Sequence, residues 1–255
     1  GSEMCIRDSS YAMRELGVPF AGLFGACSTM AEGLALGAAL CEGGAARNLL
    51  AMASSHFCAA ERQFRTPLSY GAVRTPTAQW TATAAGCCLL QPQGEGVGIA
   101  AATFGRVQDY QVKDINNMGA AMAPAAASTL LHYFKDTGTE PQEFDCIYTG
   151  DLGQVGSQLL RELLAAEGLL IKNHVDCGCI LFDANEQSVK SGGSGPGCCA
   201  AVLCGHILPR LRRGSQKRVL FTATGALMSQ TTFLQKETIP AVAHLVELRA
   251  PEKEK

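Results

Sequence analysis

The stretch "CSTMAEGLALGAALCEGGAARNLLAMASSH", residues 27–56, has a weak echo later in the chain, "CCAAVLCGHILPRLRRGSQKRVLFTATGAL", residues 198–227. At a constant offset of 171 positions, Cys27 pairs with Cys198, Arg47 with Arg218, and "LLAMASS" with "LFTATGA". Each copy runs from a Gly/Cys turn through a helix-length apolar stretch, a glycine-rich basic break, and an apolar strand ending in small residues. That order is one helix–strand unit of a layered α/β fold, and its recurrence predicts an internally duplicated domain. The helices after both cysteines are rich in Ala and Gly rather than amphipathic. A helix apolar on all sides is a buried one, here expected between two sheets.

The second copy carries more ahead of its cysteine. "FDCIYTGD" predicts a strand ending at a Gly-Asp turn, and "SQLLRELLAAEG" an amphipathic helix closed by Gly168. Symmetry asks for the same strand and turn ahead of Tyr11, where the sequence offers neither, so the first half is expected to be incomplete. The resulting division is a leader at 1–10 with no apolar period, a first half over 11–110, a lid or crossover at 111–141 containing Pro124, a second half over 142–250, and a charged tail at 251–255. Residues 1–10 are expected to be artefactual and outside the fold.

The bulk numbers exclude several classes. A chain of 255 residues, 47% hydrophobic and 17% charged, has material for a large core. A net charge of −2 leaves no basic footprint for nucleic acid. The twelve cysteines show no metal-ligand spacing and no small disulfide framework, so reduced, mostly buried thiols and an intracellular setting are expected. No apolar run reaches the length of about 18 residues that a membrane-spanning helix needs; the segment 21–46 is interrupted by Glu32 and Glu42.

The blocks "FGACST", "ASSH", "AERQFRTPLSYG", "MGAAMAPAAA", "TGDLGQVGS", "DCG", "GGSG", "TGALMS" and "QKETIPAVAH" occur in this order across residues 24–244. The series resembles the stage V sporulation protein AD family of the thiolase-like superfamily. The resemblance implies a duplicated α-β-α-β-α fold, matching the repeat, and binding of dipicolinic acid (pyridine-2,6-dicarboxylate) rather than condensation chemistry. It further implies a peripheral place at the inner membrane of the developing spore, beside other stage V sporulation A proteins, and a homodimer. No resident cofactor is implied; calcium, if it comes, comes with the ligand, since the chain has no EF-hand loop.

Under that resemblance Cys27 starts a buried helix and faces the central cavity, where free N–H groups and the helix dipole favour an anion or a thiolate. His56 ends the strand beside it, placed either to hydrogen-bond a carboxylate or to activate the thiol. Arg62 and Arg65 offer bidentate carboxylate recognition, against the plainer reading of a salt-bridged loop. Asp151, after a strand, either binds a cation or holds a loop. The glycine-rich 191–199 segment offers backbone N–H groups but lacks the Lys-Ser/Thr of a P-loop. Thiolases also carry an Asn-x-x-Gly-Gly block and a Gly-His-Pro block. Here "HVDCGC" stands at 174–179, Gly205-His206 is followed by Ile207, and neither His174 nor His244 sits in a catalytic block. The expectation is a pocket that kept its shape and lost its reaction. The alternatives are a degenerate condensing enzyme acylated on Cys27 and a scaffold with an empty cavity.

Overall fold

The computed structural model describes residues 3–64 and 74–252, with side chains described over 10–60 and 74–252. Helix α1 (Glu3–Leu16) is followed by a short turn of 3-10 helix at Ala26–Ser28, then α2 (Thr29–Glu42), β1 (Leu49–Ser55) and α3 (Phe57–Phe64). Next come β2 (Trp80–Thr81), β3 (Ala84–Leu90), β4 (Gly98–Thr103) and the long α4 (Met118–Thr137). The second half contains β5 (Cys146–Thr149), α5 (Gly153–Ala166), β6 (His174–Asp176), α6 (Cys177–Ile180), β7 (Gly193–Ser194) and α7 (Pro196–Val202). A π-helical turn at Leu203–Ile207 leads into α8 (Leu208–Arg212), β8 (Arg218–Ala226), α9 (Gln230–Leu234) and β9 (Ala241–Arg249).

The repeat in the sequence is a repeat in space. α2 leads to β1, which pairs antiparallel with β3; α7 and α8 lead to β8, which pairs antiparallel with β9. The second copy belongs to a five-stranded sheet of order β4-β9-β8-β5-β6, in which β5 is parallel to both β6 and β8. The first copy is the two-stranded ribbon β1–β3. α2 lies between them, touching β1 and β3 on one side and β8 and β9 on the other. Met30, Ala31, Gly33, Leu34 and Ala35 of α2 are buried in that gap. The ribbon alternates as a half-buried strand pair should, with Ala51 and Ala53 inward and Leu50 and Met52 outward. β8 is buried along nearly all its length, as a central strand covered on both faces must be.

The 111–141 segment, expected as a helical lid or crossover, contains α4, which buries Met122, Ala123, Pro124, Ala126, Leu130 and Tyr133 against α5, β8 and β9, in the second of two apolar clusters. Its run of alanines is what allows that close approach of helix to helix and sheet. Residues 3–10, expected to lie outside the fold, form the first part of α1.

A buried charge ties α4 to strand β9 of the sheet. Glu247 of β9, 2% exposed, accepts from Arg218 Nε at 2.8 Å, from Arg249 Nε at 2.6 Å and from the Tyr133 hydroxyl. Burial alone would raise this carboxyl, but the donors Arg218, Tyr133 and Arg249 outweigh it and hold it at about 2. A carboxyl lowered in the folded state adds stability above the ordinary value of 4.5, and that stability is lost as pH falls toward about 2. Glu247→Gln is therefore expected to lower the unfolding free energy at neutral pH by roughly 3 kcal/mol and to flatten its decline below pH 4.5, measured by urea unfolding across pH; an unchanged acid limb would contradict this.

Candidate functional site

The site forms where the two related helix starts meet. Gly25–Ser28 makes the first turn: Ser28 N and Ser28 Oγ both donate to Gly25 O, and Glu32 of α2 reaches back to accept from Gly25 N at 3.1 Å. This fold-back holds Ala26 at φ 50, an uncommon conformation for a residue with a Cβ, and sets Cys27 ahead of α2. Facing it is the start of α7, reached through the glycine turn at 192–195, where Gly192 has φ 117 and Gly195 φ 98. Cys199 of α7 donates to the carbonyl of Cys27. The end of β8 closes the third side: a Cβ on Gly225 would stand 2.2 Å from Gly25 O, so the strand approaches this turn as only glycine permits.

Asp151 joins these pieces. Its side chain is fully buried after β5 and accepts from Ser194 Oγ (2.9 Å), Gly195 N (2.9 Å) and Thr224 Oγ1 (3.0 Å). Burial pushes this carboxyl above the ordinary range despite these donors. Cys27, half-buried by its own surface, responds in the opposite sense to a catalytic thiol. Burial, then the charge of Asp151 and the hydrogen bond to it, push its pKa well above the ordinary thiol value of 9.0, and the N–H of Gly195 only partly opposes them. A carboxylate beside a thiol is the wrong neighbour for a thiolate. The turn that would generate a nucleophile instead holds a protonated S–H.

A second carboxyl lies behind the first. Asp176, at the end of β6, accepts from Thr149 Oγ1 (2.7 Å), Leu152 N (2.9 Å) and Gly153 N (2.9 Å), so it occupies the N-terminus of α5. Burial pushes it up to about 7, with the charge of Asp151 adding to the rise. Neither acid has a free oxygen to offer. Asp151, expected either to bind a cation or to hold a loop, spends both oxygens on the glycine turn and β8. Among the described residues, no cluster of three or more His, Cys, Asp or Glu side chains is arranged to hold a metal ion.

The histidines stand apart from Cys27. His174, held at about 4 by burial and then by Arg161, shares a 2.8 Å hydrogen bond with Thr149 Oγ1. His244, with its pKa lowered by burial, takes the N–H of Gly105 on Nδ1. His56 is exposed at the end of β1, and among the described residues no hydrogen bond joins it to Cys27. Its neighbour Ser55 does grip the site, donating to Ala82 O at 2.7 Å and accepting from Gly197 N at 3.0 Å, which leaves His56 on the rim. Arg65 lies outside the described residues; Arg62 falls in α3, and its side chain likewise lies outside them.

Just past His56 opens a cavity of about 320 Å³, lined by Phe57, Trp80, Thr81, Thr83, Leu181 and Phe182. Phe57 and Trp80 stack with ring centroids 4.5 Å apart, and Arg74 sits 4.3 Å over the Trp80 ring while donating to Gln79 O. The sequence reading missed Ser194, Thr224, Asp176 and this aromatic slot. The Ser194 position was signalled by "GGSG", Asp176 by "DCG" and Thr224 by "TGALMS"; Trp80 had no local signal.

Two helix starts from duplicated units, meeting between two sheets, define a thiolase-like fold. Solved structures of that class superpose on the chain. 3-Oxoacyl-[acyl-carrier-protein] synthase III from Aquifex aeolicus gives a TM-score of 0.56 at 14% identity, covering 94% of this chain and 70% of that one. Cerulenin-bound OleA of Xanthomonas campestris gives 0.59 at 14% identity, over 94% and 67%. At this identity the likeness concerns the fold. The family model for stage V sporulation protein AD matches residues 4–249, and stage V sporulation protein AD of Bacillus subtilis (strain 168) is 44% identical over 237 residues, spanning 92% of this chain and 70% of the relative. The chain belongs to the stage V sporulation protein AD family.

The proton-locked thiol has a direct consequence. With iodoacetamide at pH 8, exposed Cys58 and Cys87 should be alkylated while Cys27 stays unmodified, and Asp151→Asn should raise the Cys27 rate at least tenfold, read by peptide mass mapping. Labelling of Cys27 as fast as Cys58 in the unaltered chain would contradict the assignment.

Proposed function

We propose that this protein is a non-catalytic thiolase-fold binder of dipicolinic acid that supports its movement into the developing spore, peripheral to the inner spore membrane and alongside other stage V sporulation A proteins. The observation that carries the reading is the fully buried Asp151, bonded to the start of α7 that faces Cys27, whose charge adds to burial in holding the Cys27 thiol above its ordinary value. A condensing enzyme must deprotonate its cysteine, and a base paired with that thiol is the usual means. Here the partner is an acid whose charge opposes the thiolate, while His174 and His244 are spent on other bonds. What survives is a thiol whose ionisation is opposed, in a setting that favours holding a ligand over attacking one.

The cavity beside His56 supports the choice of ligand. Its rings from Phe57, Trp80 and Phe182 suit a flat heteroaromatic ring, and its hydroxyls from Thr81 and Thr83 suit polar substituents. In this reading Cys27 and His56 contact the ligand, with His56 on the rim meeting one carboxylate. Arg62 and Arg65 supply the guanidinium fork for the other. Calcium, where present, travels on the ligand's own carboxylates, since Asp151 and Asp176 have none to spare. Among the described residues no helix is long and apolar enough to cross a membrane, which accords with attachment through partner proteins or as a homodimer on the membrane face.

Calorimetry with dipicolinate, with and without calcium, should give saturable heat, and the fluorescence of Trp80, the one tryptophan of the sequence, should be quenched in parallel. Cys27→Ala and His56→Ala should each weaken binding about tenfold, the loss of one good hydrogen bond to a charged group, without unfolding the protein. Unchanged affinity in both variants would reject the site. Incubation with an acyl-CoA should leave the intact mass unaltered; a thioester adduct at Cys27 would instead establish the degenerate condensing enzyme.

A further inference from the structure

We propose that Cys88 and Cys204 form a reversible dithiol–disulfide site that clips the β1–β3 ribbon to the π-helical turn between α7 and α8. Their sulfurs lie 3.8 Å apart although 116 positions separate them in sequence. Both thiols are half-buried, so a small oxidant can reach them while the pair stays shielded from larger thiols. The elements that carry them are held firmly. A Cβ on Gly86 would meet Ala200 O at 2.5 Å, so β3 runs in direct backbone contact with α7 two residues before Cys88. The wide turn at Leu203–Ile207 then swings Cys204 toward the ribbon, where its thiol also reaches the carbonyl of Cys87. Forming the bond closes the sulfurs from 3.8 Å to a disulfide length of about 2.05 Å.

The chemistry of the two sulfurs is unequal. A hydrogen bond from the Cys88 thiol, against the cost of burial and with help from the Cys87 backbone and Arg212, brings Cys204 down to about 6, while Cys88 is raised. Cys204 is thus the attacking thiolate. With a low-molecular-weight disulfide as oxidant, the Cys204 thiolate attacks one sulfur, forming a mixed disulfide and expelling one small thiolate. Cys88 then loses its proton and attacks the Cys204 sulfur, forming the Cys88–Cys204 bond and expelling the second small thiolate. Two protein thiols are oxidised and one small disulfide is reduced to two thiols. Cys27, Cys177, Cys198 and Cys199 are excluded, their thiols being pushed well above the ordinary value, chiefly by burial. The clip would fix the strand pair whose far end carries Ser55 and His56.

The full chain is incubated with glutathione disulfide and examined by intact mass and peptide mapping. The expected product has lost two hydrogens, carries a Cys88–Cys204 link, and melts several °C higher, reversibly on adding dithiothreitol. Cys87→Ser should form the link normally, whereas Cys204→Ser and Cys88→Ser should not. Accumulation of mixed glutathione disulfides alone, a link through Cys87 or Cys58, or loss of the link in Cys87→Ser would each overturn the proposal. Mapping of the unsubstituted chain decides the matter even if a variant fails to fold.

Discussion

A single buried carboxyl, that of Asp151, holds together parts of the chain that no local force would unite. It ties the hydroxyl and N–H of the glycine turn before α7 to a threonine of the central strand β8. Burying such a group is costly unless its lone pairs are satisfied, and here three donors converge on it. That requirement explains the glycines around it. Gly195 must adopt φ 98 to point its N–H inward, and Gly225 must lack a side chain so that β8 can bring Thr224 alongside the Gly25 turn. Asp176, itself near-neutral at about 7, stiffens the same corner from behind by occupying the start of α5.

The same carboxyl bears on the chemistry of the nearby thiol. A helix start and a tight turn ordinarily stabilise a thiolate, and the duplicated fold supplies both. Burial and the charge of Asp151 reverse that balance at Cys27, because both penalise ionisation. The thiolase-like fold therefore carries, in this chain, a cysteine whose ionisation its surroundings oppose.

Much of the fold was legible in sequence because its signals are local. The offset between Cys27 and Cys198 located α2 and α7, β1 and β8; "FDCIYTGD" located β5; and Gly168, in a left-handed conformation at φ 80, closes α5 as a helix-terminating glycine should. Cys27 and Asp151 were both singled out, but their contact was not, since it spans two halves of the chain and depends on how deeply each is buried. Asp151 was read as binding a cation or holding a loop, and only the packed structure shows that both its oxygens accept from the protein. The Ala- and Met-rich α4 was read as a helical lid or crossover, because small apolar residues carry no period and only tertiary packing shows which faces are buried. His56 was located correctly at a strand end, yet strand position alone does not say whether a side chain turns inward or stays on the rim.

The ionisation of one sulfur tests the whole account. With ¹³Cβ-labelled cysteine, the Cys27 resonance can be followed by NMR through a pH titration of the folded protein. The account predicts no ionisation as pH passes the ordinary thiol value of 9.0, with the transition moved to lower pH once Asp151 is replaced by Asn, burial continuing to hold it up. A Cys27 that ionises below 9.0 with Asp151 in place would contradict it.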